Sequence, residues 1–154
     1  MILSSRLLGA DAPSNAMRIA SIGTGRMGLG DMKNAMGAGL KTNAQVVAVC
    51  DVDSKRAANA KKIVEDFYKG RKMAIGEVKA YTDFRELLKR DDIDAVTIST
   101  PDHCHAIIAI AAAKAGKHIY IQKPFTYTIT EGQKLVEAVR ANKVTLQTGS
   151  QQRS

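Results

Sequence analysis

Gly23-Thr24-Gly25-Arg26-Met27-Gly28 fits the pattern G-x-G-x-x-G, with an apolar run before it and a helix-compatible segment after it. That arrangement suits phosphate. The first glycine makes a tight turn, the second lets a pyrophosphate approach the backbone, and the third allows a helix to pack closely on a strand. The helix start then supplies N–H groups and a partial positive charge. Thr24, Arg26 and Met27 fill the remaining positions of this candidate loop. Such turns occur in many loops, so context carries the reading. Asp51 ends the next apolar run, 23 residues past Gly28, where a carboxylate can accept the ribose hydroxyls of a dinucleotide. A turn residue or a helix cap is the plainer role for the same aspartate. A carboxylate there favours NAD over NADP, whose 2′-phosphate would meet its charge, although Lys55 and Arg56 follow closely and can soften that rejection.

Two further clusters carry polar chemistry. Thr100-Pro101-Asp102-His103-Cys104-His105 opens a helix directly after an apolar run, with Asp102 able to cap it. Thr100, Pro101 and His105 are candidate cofactor contacts, and a packed, cap-region histidine is the alternative for His105. Neighbours at this spacing do not share a helical face, and no second Cys/His cluster completes a tetrahedral set, so no metal is expected. Gln122-Lys123-Pro124 ends another apolar run. A lysine there can hydrogen-bond a hydroxyl or carbonyl undergoing hydride transfer and assist the proton's movement. Lys123 is thus the candidate catalytic residue and, with Gln122, a candidate cofactor contact; a solvated surface lysine is the plain reading.

These clusters need elements that hold them at one edge. Arg18–Ile22, Gln45–Cys50, Val78–Tyr81, Ala95–Ser99, His118–Ile121 and Val144–Thr148 read as strands, several of them β-branched and apolar throughout, as strands buried on both faces are. Between them Arg26–Leu40, Ser54–Tyr68, Phe84–Lys89, His105–Ala115 and Thr130–Asn142 read as helices, with Ser54 and Asp83 as caps and Gly116 as a stop. The second helix sets Ala57, Ala60, Ile63, Val64 and Phe67 on one face. Strands alternating with helices predict an α/β fold with a parallel sheet. In such a sheet ligands sit beyond the carboxyl ends of the strands. Gly23, Asp51, Thr100, Gln122 and Gly149 stand at five of those ends.

Composition excludes several classes. The 154 residues are 45% hydrophobic and 25% charged, a globular balance, and there is no apolar run of bilayer-spanning length. Two cysteines make no disulfide framework, and the reduced state is the default. A net charge of +8 raises the question of nucleic acid. The basic residues are scattered, however, and aromatics are only 5% of the chain, so they describe a solvated surface and neither nucleic acid nor membrane is expected as a partner. Residues 1–16 read as a leader, a signal remnant or an expression-tag remnant, and residues 17–154 as one dinucleotide-binding domain.

Taken together, Gly23–Gly28, Cys50-Asp51-Val52-Asp53, Thr100–His105 and Gln122-Lys123-Pro124 resemble the N-terminal NAD-binding domain of the glucose–fructose oxidoreductase/inositol dehydrogenase (Gfo/Idh/MocA) family. The resemblance runs from Met17 to the end of the chain. It implies a Rossmann-type, doubly wound sheet and hydride transfer between a nicotinamide cofactor and a sugar or polyol. It implies that Lys123 contacts substrate and cofactor, and that Gln151 and Arg153, in Gly149-Ser150-Gln151-Gln152-Arg153, face the polyol; an exposed terminus is the other reading of that segment. The family's usual motif is Glu-Lys-Pro, so this chain is a Gln-Lys-Pro variant that keeps a hydrogen-bonding carbonyl and loses a charge. Relatives continue into a second, α+β substrate domain that usually forms the homo-oligomer interface. That domain is expected to be missing here, so the chain by itself is expected to bind dinucleotide and turn over poorly. The resemblance also makes the first residues the tail of a twin-arginine signal, giving a periplasmic protein if such a signal lies upstream and a cytoplasmic one as written. Two other functions stay open: a glycosidase or lyase that uses tightly held NAD for transient sugar oxidation, and a non-catalytic dinucleotide-binding module.

Overall fold

The computed structural model describes residues 15–150. The leader reading over positions 1–14 and the candidate polyol contacts Gln151 and Arg153 lie outside the described residues. The elements run β1 (Met17–Ile22), α1 (Arg26–Thr42), β2 (Ala44–Cys50), α2 (Ser54–Lys69), β3 (Lys79–Tyr81), α3 (Phe84–Leu88), β4 (Ala95–Ile98), α4 (Asp102–Lys114), β5 (His118–Ile121), α5 (Ile129–Ala141) and β6 (Leu146–Thr148).

The six strands form one parallel sheet in the order β3-β2-β1-β4-β5-β6. Strand order therefore reverses between β1 and β4, the switch point where a doubly wound sheet opens a crevice. The runs that built the central strands are buried as their composition required; Val46 to Cys50, for instance, are each at most 3% exposed, whereas the edge strands β3 and β6 hold no buried residue. Met32 and Met36 of α1 pack with Val46, Val49, Ala60 and Val64 in one apolar cluster. Leu87, Ile108, Ala112 and Leu135, from α3, α4 and α5, pack with Ile22, Ile98 and Ile121 in the other. Helices from the two halves of the chain thus cover different parts of the sheet, as double winding demands.

Several boundaries differ from the sequence reading. Asp53, not Ser54, caps α2, its carboxylate accepting from the N–H groups of Lys55 and Arg56. The fourth helix begins at Asp102, with Pro101 in the cap position and no side-chain cap. Asp102 therefore lies inside the first turn, where its charge still favours the helix dipole. Tyr68 extends the Ala57–Ala60–Val64 stripe, while Ile63 and Phe67 are only half-buried. The Tyr68 hydroxyl accepts the Val46 N–H at 3.0 Å, so a fully buried phenol is satisfied by the strand it covers.

Candidate functional site

The residues following five strands begin level with one another. Gly23 N–H donates to Cys50 O, Asp51 N–H to Tyr81 O, Ser99 N–H to Ile22 O, Gln122 N–H to Ile98 O and Gly149 N–H to Ile121 O, all at 2.8–3.1 Å. Each bond adds one rung to the parallel ladder before the chain turns away. The start of the site edge is therefore set by the sheet itself.

Within that edge the glycine loop is closely packed. Gly23 has φ +83°, a region that favours glycine, and a Cβ there would sit 2.7 Å from Ser99 O and 2.9 Å from Thr100 Cγ2. A Cβ on Gly28 would overlap the carbonyl of Gly23, so the third glycine allows α1 to seat against the turn. Gly25 stands at the N-cap of α1 with no side-chain hydrogen bond to the first turn, and that turn contains no acidic residue. Arg26 and Met27, exposed, complete the turn.

Asp51 is 8% exposed, and its carboxylate faces the loop. Thr24 N–H and Thr24 Oγ1 donate to Oδ2 at 2.8 and 3.1 Å, and Asp53 N–H donates to Oδ1 at 3.0 Å. A carboxylate offers about four acceptor positions; three are taken here, which leaves about one for a ribose hydroxyl. Thr24 is buried and spends both of its donors on Asp51. The tie between loop and carboxylate, across 27 residues, is a contact that the motif alone did not reveal. Next to it, burial first and the Asp51 charge second push the Cys50 thiol up to about 12, so it stays protonated and unreactive.

Opposite the glycines, Thr100 Oγ1 is buried and has no partner among the described residues. His105 is 1% exposed, with Nδ1 2.6 Å from Pro124 O and Nε2 2.9 Å from Thr100 O. It joins the turn after β4 to the turn after β5. Pro124 follows a cis peptide bond from Lys123, and Lys123 itself is exposed. Gln122 is 3% exposed and accepts the Lys123 N–H on Oε1 at 3.0 Å. Gln122 Nε2 and Ser99 Oγ both donate to Asp31 of α1, a residue that sequence reasoning passed over. Gly149 closes the row, with Tyr120 Oη 2.7 Å and Gln122 Oε1 3.5 Å from where its Cβ would stand. Beside α1 a polar cavity of about 420 Å³ is lined by Arg26, Met27, Gly30, Asp31, Asn34, Tyr120 and Ser150. The structure thus sets the glycine turn, Asp51, Thr100, His105, Gln122 and Gly149 along one edge of the sheet, in separate groups of contacts: Thr24–Asp51, Thr100–His105–Pro124 and Ser99–Asp31–Gln122.

The fit to a dinucleotide can be judged from these features. A side-chain-free turn, an uncapped helix start, a carboxylate with acceptor capacity left and an unpartnered buried hydroxyl together suit a pyrophosphate and its ribose. Gly23, Gly25 and the first turn of α1 would hold the phosphates, and Asp51 the ribose.

Residues 17–150 match the family described as "Oxidoreductase family, NAD-binding Rossmann fold". Inositol 2-dehydrogenase of Salmonella typhimurium is 30% identical over 82% of this chain and 34% of its own length. A glycosyl hydrolase family 109 protein of Shewanella amazonensis is 33% identical over 85% of this chain and 28% of its own. A solved NAD-binding oxidoreductase from Klebsiella pneumoniae superposes with a TM-score of 0.74 at 27% identity, over 87% of this chain and 34% of its own. The chain spans about a third of the length of these relatives. Its motifs, sheet order and family match converge, and the chain belongs to the oxidoreductase family with an NAD-binding Rossmann fold.

Proposed function

We propose that this chain forms the cofactor half of a dehydrogenase that moves hydride between NAD and a hydroxyl-bearing carbon of a sugar or polyol. The observation that carries the reading is the placement of Lys123. It is exposed at the carboxyl end of β5, and its backbone is held by Gln122 on one side and by Pro124, through His105, on the other. When bound, NAD accepts or donates the hydride. Lys123 Nζ hydrogen-bonds the substrate oxygen and moves a proton at that atom as the C–O bond order changes. Gln122 and His105 keep the lysine's backbone in register with the glycine turn. Asp51 orients the cofactor through its ribose, and its charge disfavours a 2′-phosphate.

A second reading rests on the likeness to the glycosyl hydrolase family 109 protein. There NAD would be held tightly and regenerated within each turnover, so substrate would be cleaved with no net NADH. Absorbance at the reduced-nicotinamide band during turnover of substrate separates the two.

The first test is a thermal-unfolding titration of the purified chain with NAD and NADP. A ligand that binds the native state alone raises the midpoint by mass action, by about 2.7 kcal/mol of stability at one hundred times its dissociation constant. A larger rise with NAD is expected. A cooperative melt that ignores both cofactors would overturn the reading.

A further inference from the structure

Asp31, in the second turn of α1, lies outside the glycine motif, yet its carboxylate is where two strand ends meet. Ser99 Oγ donates to Oδ2 at 2.7 Å, and Gln122 Nε2 donates to Oδ2 at 2.8 Å and to Oδ1 at 3.1 Å. An ionised carboxylate only accepts, so it dictates which end of the Gln122 amide faces it. The amide nitrogen turns to Asp31, and the amide oxygen is left to take the Lys123 N–H. Gln122 is 3% exposed, so water has little access to break either contact.

We propose that Asp31 is a positioning residue: its carboxylate orients the Gln122 amide, and that amide fixes the Lys123 backbone. The meaning of this for catalysis rests on the role of Lys123 proposed above; the coupling of positions 31, 122 and 123 rests on the hydrogen bonds alone. It also accounts for glutamine in place of the glutamate of a Glu-Lys-Pro motif. A glutamate at 122 would bring a second acceptor-only carboxylate to hydrogen-bonding distance of the first, with no proton between them.

The surrounding charges leave that conflict standing. Arg26 of α1 shares a cavity with Asp31 but makes no ion pair with it among the described residues, and Lys123 is exposed. His118, at the start of β5, shares a second cavity with Asp31, and its Nδ1 accepts the Thr145 N–H. The Tyr120 phenol is pushed up by burial and then by the Asp31 charge, so it stays protonated.

The test uses the full chain and three variants: Gln122→Glu, Asp31→Asn and the pair together. Two carboxyls sharing one proton have a raised pKa in the folded state, so the stability of Gln122→Glu is retained at low pH and lost as pH rises. Relative to the unsubstituted chain, its folding equilibrium should fall about tenfold or more between roughly pH 5 and pH 8. In Asp31→Asn the Gln122 amide is no longer forced to one orientation, and the Lys123 amide should exchange its hydrogen about tenfold faster by NMR. The paired variant places an amide against a carboxylate with the roles exchanged, so it should restore both the pH profile and the slow exchange. A Gln122→Glu profile that stays flat with pH, or a pair no better than the worse single at high pH, overturns the proposal. An NAD titration run in parallel separates the two claims: loss of cofactor binding with the coupling intact counts against the functional reading alone.

Discussion

Gly28 faces the Gly23 carbonyl so closely that a Cβ would overlap it, whereas a Cβ on Gly25 would meet nothing nearer than Arg56 Nη1 at 3.7 Å. One glycine is needed by the fold and the other is open toward the space the pyrophosphate would take. Alanine at the two positions should separate these needs. Gly28→Ala forces backbone apart and is expected to cost several kcal/mol, enough to unfold much of the chain. Gly25 has φ −68°, which alanine adopts without strain, so Gly25→Ala should stay within about 1 kcal/mol of the parent stability. Its methyl group would still hold a phosphate off the backbone, and the NAD dissociation constant should rise at least tenfold (~1.4 kcal/mol). Thermal unfolding and calorimetric titration of both variants read the two effects. Cofactor binding by Gly25→Ala at parent affinity would remove the loop from the phosphate site.

Helix starts divide in the same way. Three helices are capped by a side chain: α2 by Asp53, α3 by Asp83 and α5 by Thr128, the last in a reciprocal box with Glu131. The starts of α1 and α4, at Gly25 and Pro101, carry no such cap. The uncapped pair flank the switch point between β1 and β4, where phosphate oxygens can take the place of a cap. Thr128 Oγ1 accepts the Glu131 N–H at 3.2 Å, and Glu131 Oε2 accepts the N–H groups of Tyr127 and Thr128 at 3.0 Å. Thr128→Ala should therefore cost about 1 kcal/mol, read as a lower thermal midpoint. The elements themselves were legible because strand runs such as Gln45–Cys50 are apolar and β-branched, and because Gly23 and Gly116 stop what precedes them. Exact starts were not, since Asp53 and Ser54 are both competent caps side by side, and proline hid the turn from Asp102 to Cys104. Val144 and Thr145 read as strand, yet their N–H groups go to Val139 O and His118 Nδ1, and the strand begins only at Leu146. Within the site, the glycine loop, Asp51 and Lys123 each carry a local pattern. The Asp31–Gln122 contact spans 91 residues and joins a helix to a strand end, and no local spacing encodes such a pair.

Across the whole molecule the cofactor edge and the acid-sensitive edge are opposite ends of the same sheet. Asp92 lies just before β4, and Arg18 is the second residue of β1, so their contact closes the amino ends of two central strands. Asp92 Oδ2 is 2.7 Å from both Arg18 Nη2 and Arg90 Nη2, with Arg90 Nε a further 2.8 Å from Oδ1. The Arg90 hydrogen bonds, followed after a burial effect of opposite sign by the charges of Arg90 and Arg18, bring the Asp92 carboxyl down to about 2. In the unfolded chain it returns to about 3.9. A depressed carboxyl stabilises the fold fully above the unfolded value and loses that contribution as pH falls through the folded one, here from about pH 4 down to about pH 2. A fully buried group with that shift would be worth about 2.6 kcal/mol, but the Asp92 side chain is 43% exposed, and solvent screening brings the figure to about 1 kcal/mol. Asp92→Asn should therefore lower the midpoint slightly at pH 7 and make it fall less steeply between pH 4 and 2. In the proposed site NAD would sit at the other end of the strands and add stability by mass action. Saturating cofactor should raise the parent and Asp92→Asn melting curves by equal amounts at neutral pH, because the two edges share no hydrogen bond or ion pair among the described residues. Unequal rises would mean that the sheet transmits strain between its ends, and that the cofactor edge is not set by its own ladder alone.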